Sequence, residues 1–391
     1  MFYSLNQLGE LDDATKKERG LLYTPMEIAR QPQVWLETKN MMKQHIGEIG
    51  RLISGDETII LTGAGSSYFA GQCVEAALAA RHKGIVKSIS STEIVMDPEG
   101  TLPHTPFTLV SFARSGNSPE GNAAFELAEA LRPGLVTQVV FTCSNEGELA
   151  RLARQSQAPG LLCVLPPDTN DAGLAMTSSF TSMVVAGYGL AYGGALSQYE
   201  AMVGDLARAA KKLLEDHSET LKNIAEIPFD RIFFVGAHPF YGAALESHLK
   251  VQEMTDGQVV GKAEDTLGLR HGPMAAIDEK TLVVLFASLD TYRRKYETDL
   301  LKELSAKELG CQRVVVSPQP ESGWTDLCHH ILDFGADLDL ANDILSPVLV
   351  IPAQLIGLFK SLELGLMPDT PSRKQVITRV VEGVTIYPYS D

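Results

Sequence analysis

The stretch TIILTGAGSSYFAGQCVEAALAAR, from Thr58 to Arg81, decides how this chain folds. Residues 58–62 are a short apolar run of strand length. Gly63, Ala64 and Gly65 break it, and from Phe69 to Arg81 small and apolar residues return at helical spacing. A strand, a glycine turn and a helix in that order make one β-α unit. Further strand-like runs lie at 107–112, 136–141 and 161–165, separated by helix-length patterns such as 119–131. This alternation predicts an α/β fold whose parallel sheet is covered by helices on both faces.

The pattern then repeats. A charged helical stretch with Lys211, Lys212, Glu215 and Asp216 joins the halves, and at Arg231 the β-α order restarts. Residues 232–236 form an apolar strand ending in glycine, a short turn follows at 237–240, and a helix starts at Tyr241. Strands are expected at 281–287 and 313–317, and a helix at about 342–364. Strand, glycine turn, small residues and amphipathic helix recur, so two domains of similar build are expected. The expected organisation is a helical lead-in over 1–50, a first domain over 51–200, a linking helix over 201–226, a second domain over 227–365 and a tail over 366–391.

A length of 391 residues suits two domains, each with its own core. The 33 basic and 49 acidic residues give a formal charge of −16, which argues against nucleic acid as a partner. An anionic ligand would need a local field, from helix N-termini and backbone N–H groups, against that charge. Cys73, Cys143, Cys163, Cys311 and Cys328 are widely spaced, without a zinc or disulfide pattern, as for thiols in a reducing cytoplasm. The first residues lack the basic-then-apolar order of a signal peptide, and apolar runs such as 183–196 are broken well short of a membrane span.

Three loops offer neutral donors. The turn GAGSS at Gly63 to Ser67 stands between strand and helix, where Gly65, Ser66 and Ser67 can face an oxyanion. Tyr68 replaces the last glycine of a dinucleotide fingerprint, and no ribose-binding acid follows at 85–90. No GxxxxGK[ST] loop is present either. The second loop, ARSGNSPE at Ala113 to Glu120, offers Arg114, Ser115, Asn117 and Ser118 around Gly116. The third, AMTSSFT at Ala175 to Thr181, adds Thr177 and Ser178. Helix capping explains any one of them. Together they outline a small, polyhydroxylated, monophosphorylated ligand without a dedicated basic patch.

The second half carries acid, base and cation together. Glu246, Lys250 and Glu253 stand at i, i+4 and i+7, on one helical face that is expected to lie outside the core. Surface salt bridging explains such spacing equally well. Downstream, Arg270-His271-Gly272-Pro273 fixes a lone imidazole in a turn, which makes an acid–base pair with the carboxylates conceivable. His238, His248, His271 and the adjacent His329 and His330 show no metal-ligand spacing. The last two read as a surface or strand-edge feature.

With these motifs the chain resembles the sugar isomerase (SIS) family, in its galactosamine-6-phosphate deaminase/isomerase branch, also labelled tagatose-6-phosphate ketose/aldose isomerase. The resemblance rests on TGAGSS, SFARSGNSPE, AMTSS, ALESHLKVQEMT, LRHGP and the ending PDTPS…TRVVEGVTIYP. It implies two SIS domains, each a flavodoxin-like three-layer sandwich. It also implies conversion of D-galactosamine 6-phosphate and water to D-tagatose 6-phosphate and ammonia, with no cofactor.

By the same resemblance, extended to the isomerase half of glucosamine-6-phosphate synthase, Ser115, Ser118 and Ser67 hold the phosphate. Glu253 moves a proton between C2 and C1, Lys250 supports it, and Glu246 meets the substrate's ammonium or a hydroxyl. His271 assists ring opening from the other subunit of a dimer or dimer of dimers. Where the distant relative has a tail lysine, this chain has Arg379 and Glu382, and arginine does not readily form an imine. Two other readings stay open: isomerisation without loss of nitrogen, and a non-catalytic sugar-phosphate sensor.

Overall fold

A computed structural model describes residues 4–53, 55–335, 338–381 and 383–389. Two five-stranded parallel sheets organise it. The first contains β1 (Thr58–Thr62), β2 (Val86–Ser88), β3 (Phe107–Ala113), β4 (Val136–Thr142) and β5 (Gly160–Val164), in the order β2-β1-β3-β4-β5. The second contains β6 (Arg231–Val235), β7 (Val260–Glu264), β8 (Thr281–Phe286), β9 (Gln312–Ser317) and β10 (His330–Asp333), in the order β10-β9-β8-β6-β7. Numbered from its own first strand, the second sheet has the same order as the first, which is the flavodoxin-like arrangement. The repeat seen in the sequence is therefore a repeat of topology.

The interior strands are apolar along their whole length because helices cover both faces. In β3 the first six of seven residues are buried, and β8 is buried throughout. Three strands escaped the sequence pattern: β2, β7 and β10. Each lies at a sheet edge and is largely half-buried, so none shows a continuous apolar run. The expected helix at 342–364 is three pieces, Asn342–Ile344, Ser346–Leu349 and Ile351–Glu363, with Pro347 and Pro352 in the first turns of the last two. The lead-in contains several short helices, among them Thr24–Ala29 with Pro25 in its first turn.

By compactness the chain divides into two units. The sheet A unit comprises Gln33–Asp171, Ser178–Val203 and Ile377–Asp391, and the sheet B unit comprises Met1–Pro32, Ala172–Thr177 and Gly204–Val376. The lead-in and the tail are thus shared between the units, and the long helix Leu196–Glu226 passes from one to the other at Gly204.

Within the sheet B unit, one carboxylate ties the lead-in to the segment after the helix Ile351–Glu363. Asp369 accepts hydrogen bonds from the backbone N–H of Leu22 (2.7 Å), Tyr23 (3.2 Å) and Thr24 (2.8 Å) and from the Thr24 hydroxyl (2.8 Å). Its own N–H donates to the Gly20 carbonyl at 2.9 Å, and its carbonyl accepts from Leu174 N–H at 3.0 Å. Glu27, also buried, accepts from the N–H of Ala172 (2.6 Å) and Gly173 (3.3 Å). Burial raises the Asp369 pKa, and the donors from residues 22–24 oppose that shift. Replacing Asp369 by Ala removes the acceptor of three backbone N–H groups and of the buried Thr24 hydroxyl, so a loss of about 3 kcal/mol in unfolding free energy is expected. Urea unfolding of the variant beside the parent protein checks it.

Candidate active site

The helix Tyr241–Met254 follows β6 and carries Glu246, Lys250 and Glu253 on one side. The expectation that this row lies outside the core is corrected by the structure. Glu246 is 0% exposed, Lys250 1% and Glu253 22%. Charge pairing makes the burial tolerable: Lys250 Nζ lies 3.4 Å from Glu246 Oε1 and 2.5 Å from Glu253 Oε2. An ammonium taken out of water costs several kcal/mol unless opposite charges meet it, and here two do. Glu246, expected to meet the substrate, sits instead behind Lys250 as its buried counter-charge. Glu253, at the water-facing end of the row, is oriented by Lys250 and reachable, as a proton-transferring carboxylate must be.

His271 occupies a different part of the same unit. It closes the 3-10 turn Gly268–Arg270, with its N–H bonded to the Gly268 carbonyl at 2.8 Å, and its residue is exposed. Gly272 follows at φ 126°, a backbone angle that side chains disfavour, and Pro273 begins the next turn. Connections between parallel strands are right-handed. The crossover from β6 to β7 and the crossover from β7 to β8 run in opposite directions across the sheet, so they cover opposite faces. Glu253 lies on the first crossover and His271 on the second. Leu269 and Ile277 of that second crossover pack on Phe233, Val235, Val283 and Leu285 together with Leu300, Leu301 and Leu304. Within one chain the sheet stands between the carboxylate and the imidazole.

The donor loops belong mainly to the sheet A unit. The turn after β1 and the turn after β3 are neighbours, because Thr62 pairs with Ser111 at the ends of those strands. The strand order reverses there, and in open α/β sheets ligands bind at that point, outside the carboxyl ends of the strands. Gly63 is required by packing: a Cβ on it would stand 2.6 Å from the Ser67 carbonyl carbon. Ser66 and Ser67 open the fourteen-residue helix Ser66–Ala79, whose first turn has no side-chain cap. Gly65 precedes them at φ 55°, and within the turn Ser67 N–H donates to the Ala64 carbonyl at 3.1 Å.

In the second loop the capping reading accounts for part of the motif. Ser118 caps the helix Pro119–Leu131 and donates to Glu120 at 2.8 Å. Asn117 Oδ1 accepts from Glu148 N–H at 3.0 Å, capping the helix Glu148–Gln155. Ser115 Oγ accepts from Asn117 N–H at 3.2 Å. The third loop is interior: Thr177 and Ser178 are fully buried, and the Asp171 carboxylate accepts from both N–H (2.8 Å) and Oγ (2.6 Å) of Ser179.

Both arginines of the expected phosphate set point their guanidinium groups at protein oxygens. Arg114, buried, donates to the Arg379 carbonyl. Arg379 in turn donates to the Asp171 carbonyl (2.9 and 2.6 Å) and to Asn170 Oδ1 at 2.7 Å. Arg379 therefore anchors the tail beside the loop that follows β3. Glu382 lies outside the described residues. Asn170 and Asp171 were missed in the sequence; a lone acid ahead of a Ser-rich helix start was the one available signal.

Among the described residues, no group of three or more His, Cys, Asp or Glu side chains is arranged to hold a metal ion. His330 begins the edge strand β10, and His329 Nδ1 accepts from Arg313 N–H at 3.0 Å. No described helix is long and apolar enough to cross a membrane.

Comparison with known proteins follows this geometry. Residues 227–358 match the SIS domain. A D-galactosamine-6-phosphate deaminase AgaS from Escherichia coli is 34% identical, over 94% of this chain and 96% of its own. A Streptomyces coelicolor protein given that name provisionally is 37% identical, over 95% and 96%. Among solved structures, a provisionally named tagatose-6-phosphate ketose/aldose isomerase from Clostridium novyi superposes with a TM-score of 0.93, at 33% identity over 100% of both chains.

The buried row makes a stability claim. Lys250→Met leaves Glu246 buried without its counter-charge, so unfolding free energy should fall by about 3–5 kcal/mol. Chemical denaturation of the variant tests this, and a parent-like midpoint would refute it.

Proposed function

The chain belongs to the AgaS family of SIS-domain proteins, and on that footing we propose that it converts D-galactosamine 6-phosphate and water to D-tagatose 6-phosphate and ammonia. The observation that carries the mechanism is the Glu253 carboxylate, held by a buried ammonium and reachable at one end. Ring opening comes first: His271 takes the proton of the anomeric hydroxyl and delivers one to the ring oxygen, freeing the C1 aldehyde. Glu253 then removes the proton from C2 while O1 takes a proton from the substrate's own ammonium, giving an enolamine, and Glu253 returns its proton to C1. The product is a ketimine at C2, which water hydrolyses to the ketone with release of ammonia. Lys250 orients Glu253 through both steps and keeps its charge in place.

The phosphate is seated at the crevice between the turns after β1 and β3. The Ser115 and Ser67 hydroxyls supply neutral donors there, beside the start of the helix Ser66–Ala79. This suits a chain of charge −16, because the field needed to hold an anion is local.

A second copy completes the site. Glu253 and His271 of one chain are separated by their own sheet, so the pair that does the chemistry comes from two subunits related by twofold symmetry. The reaction is placed in the cytoplasm, in keeping with five cysteines that form no disulfide.

Ammonia release on mixing with galactosamine 6-phosphate tests the reaction. Turnover should appear with the parent protein and fall by about 10²–10⁴-fold in Glu253→Gln, where no base remains. Interconversion of sugar phosphates with no ammonia would instead favour the simple isomerase. Subunit sharing has its own test: Glu253→Gln and His271→Asn, each strongly impaired with measurable residual turnover, should recover about a quarter of parental activity when refolded together, because mixed dimers keep one intact site. Absence of recovery despite mixed dimers would sink the sharing.

A further inference from the structure

We propose that Glu303 and Asp265 are positioning residues for His271, tying its turn to the helix Thr291–Ala306 and thereby setting the geometry of proton transfer at the sugar ring. The proposal rests on the reading of His271 given above. The imidazole leaves an exposed turn with only 3-10 elements, Gly268–Arg270 and Pro273–Ala276, on either side. Such a turn holds a side chain in place only where it is tied down.

Three ties are present, and all converge on the residues just before His271. Asp265 Oδ1 accepts from the N–H of Leu267 at 2.9 Å and Gly268 at 2.8 Å, and its carbonyl accepts from Leu269 N–H at 3.1 Å. This closes the start of the turn as an Asx turn does. Leu269, fully buried, plugs the turn into the core beside Leu300, Leu301 and Leu304. Arg270, the neighbour of His271, donates through Nε to Glu303 Oε2 at 2.6 Å.

Glu303 lies on the same helix, between Leu301 and Leu304, so the ion pair and the leucine plug act on one surface. Its other oxygen accepts from Lys307 Nζ at 2.7 Å, one turn along. Lys307 and Arg270 both lower the Glu303 pKa, which keeps the carboxylate ionised. A half-exposed ion pair adds little to folding stability. Its worth here is in placement: a misplacement of about 1 Å in a reacting group can cost on the order of 100-fold in rate. Neither Glu303 nor Asp265 belongs to the row around Lys250 or to the donor loops.

The test is a double-mutant cycle on ammonia release. Glu303→Gln should lower kcat about tenfold while leaving KM within about twofold, because binding determinants are untouched. In a His271→Asn background the same substitution should have no further effect, since there is no imidazole left to position. The charge swap Arg270→Glu with Glu303→Arg should restore most of the lost kcat, which separates the tie from a general loss of folding. An unchanged kcat in Glu303→Gln, or an equal loss in both backgrounds, overturns the proposal. A His271→Asn enzyme as fast as the parent removes the role of His271 itself, and the proposal with it; the Glu303 result alone leaves that role standing.

Discussion

A buried ammonium sets the terms for this protein. Lys250 sits at 1% exposure between a fully buried carboxylate and a partly exposed one, and every choice around it follows from the cost of holding charge away from water. Glu246 has to be present, or the cation would be left with one partner at the rim. Glu253 has to be oriented, because the short contact to Lys250 fixes which way its oxygens face. The helix that carries the row must in turn be covered, and Ile351–Glu363 lies against it closely enough that a Cβ on Gly357 would stand 2.8 Å from the Met254 sulfur. A sheet, two helices and three charges thus form one assembly whose outward product is a single oriented carboxylate.

The other half of the chemistry is arranged on the opposite principle. The anion seat proposed for the sheet A unit relies on no lysine or arginine. Its resources are turn geometry, helix starts and hydroxyls, and both arginines near it are committed to protein carbonyls. A seat built from neutral dipoles binds through many weak, directional contacts, and it does not pull in every anion in solution as a cluster of lysines would. The division between a buried charged row in one unit and a neutral seat in the other matches two demands: moving a proton needs ionised groups, and holding a phosphate in an acidic protein needs placement.

Much of this was legible in the sequence, for definable reasons. Interior strands announce themselves because burial on two faces leaves no room for polar residues, so β1, β3, β4, β6, β8 and β9 were found nearly to the residue. Edge strands such as β2 and β7 carry half-exposed residues such as Lys87 and Lys262, and no local pattern betrays them. The helical spacing of Glu246, Lys250 and Glu253 was visible, whereas their burial was not, since it depends on which elements pack above them. The same holds for the two arginines. Arg114 and Arg379 are 265 positions apart, and only the course of the tail brings the guanidinium of one to the carbonyl of the other.

The clasp at Asp369 bears on how the chain is made. Ribosomes release a protein from its first residue to its last, yet residues 22–24 hold a carboxylate that stands 345 positions beyond Thr24. The amides of residues 22–24 therefore leave the exit tunnel ahead of their acceptor and wait for it until Asp369 has been synthesised. A nascent chain stalled before Asp369 would leave the backbone of residues 22–24 without the carboxylate that joins it to the later segment.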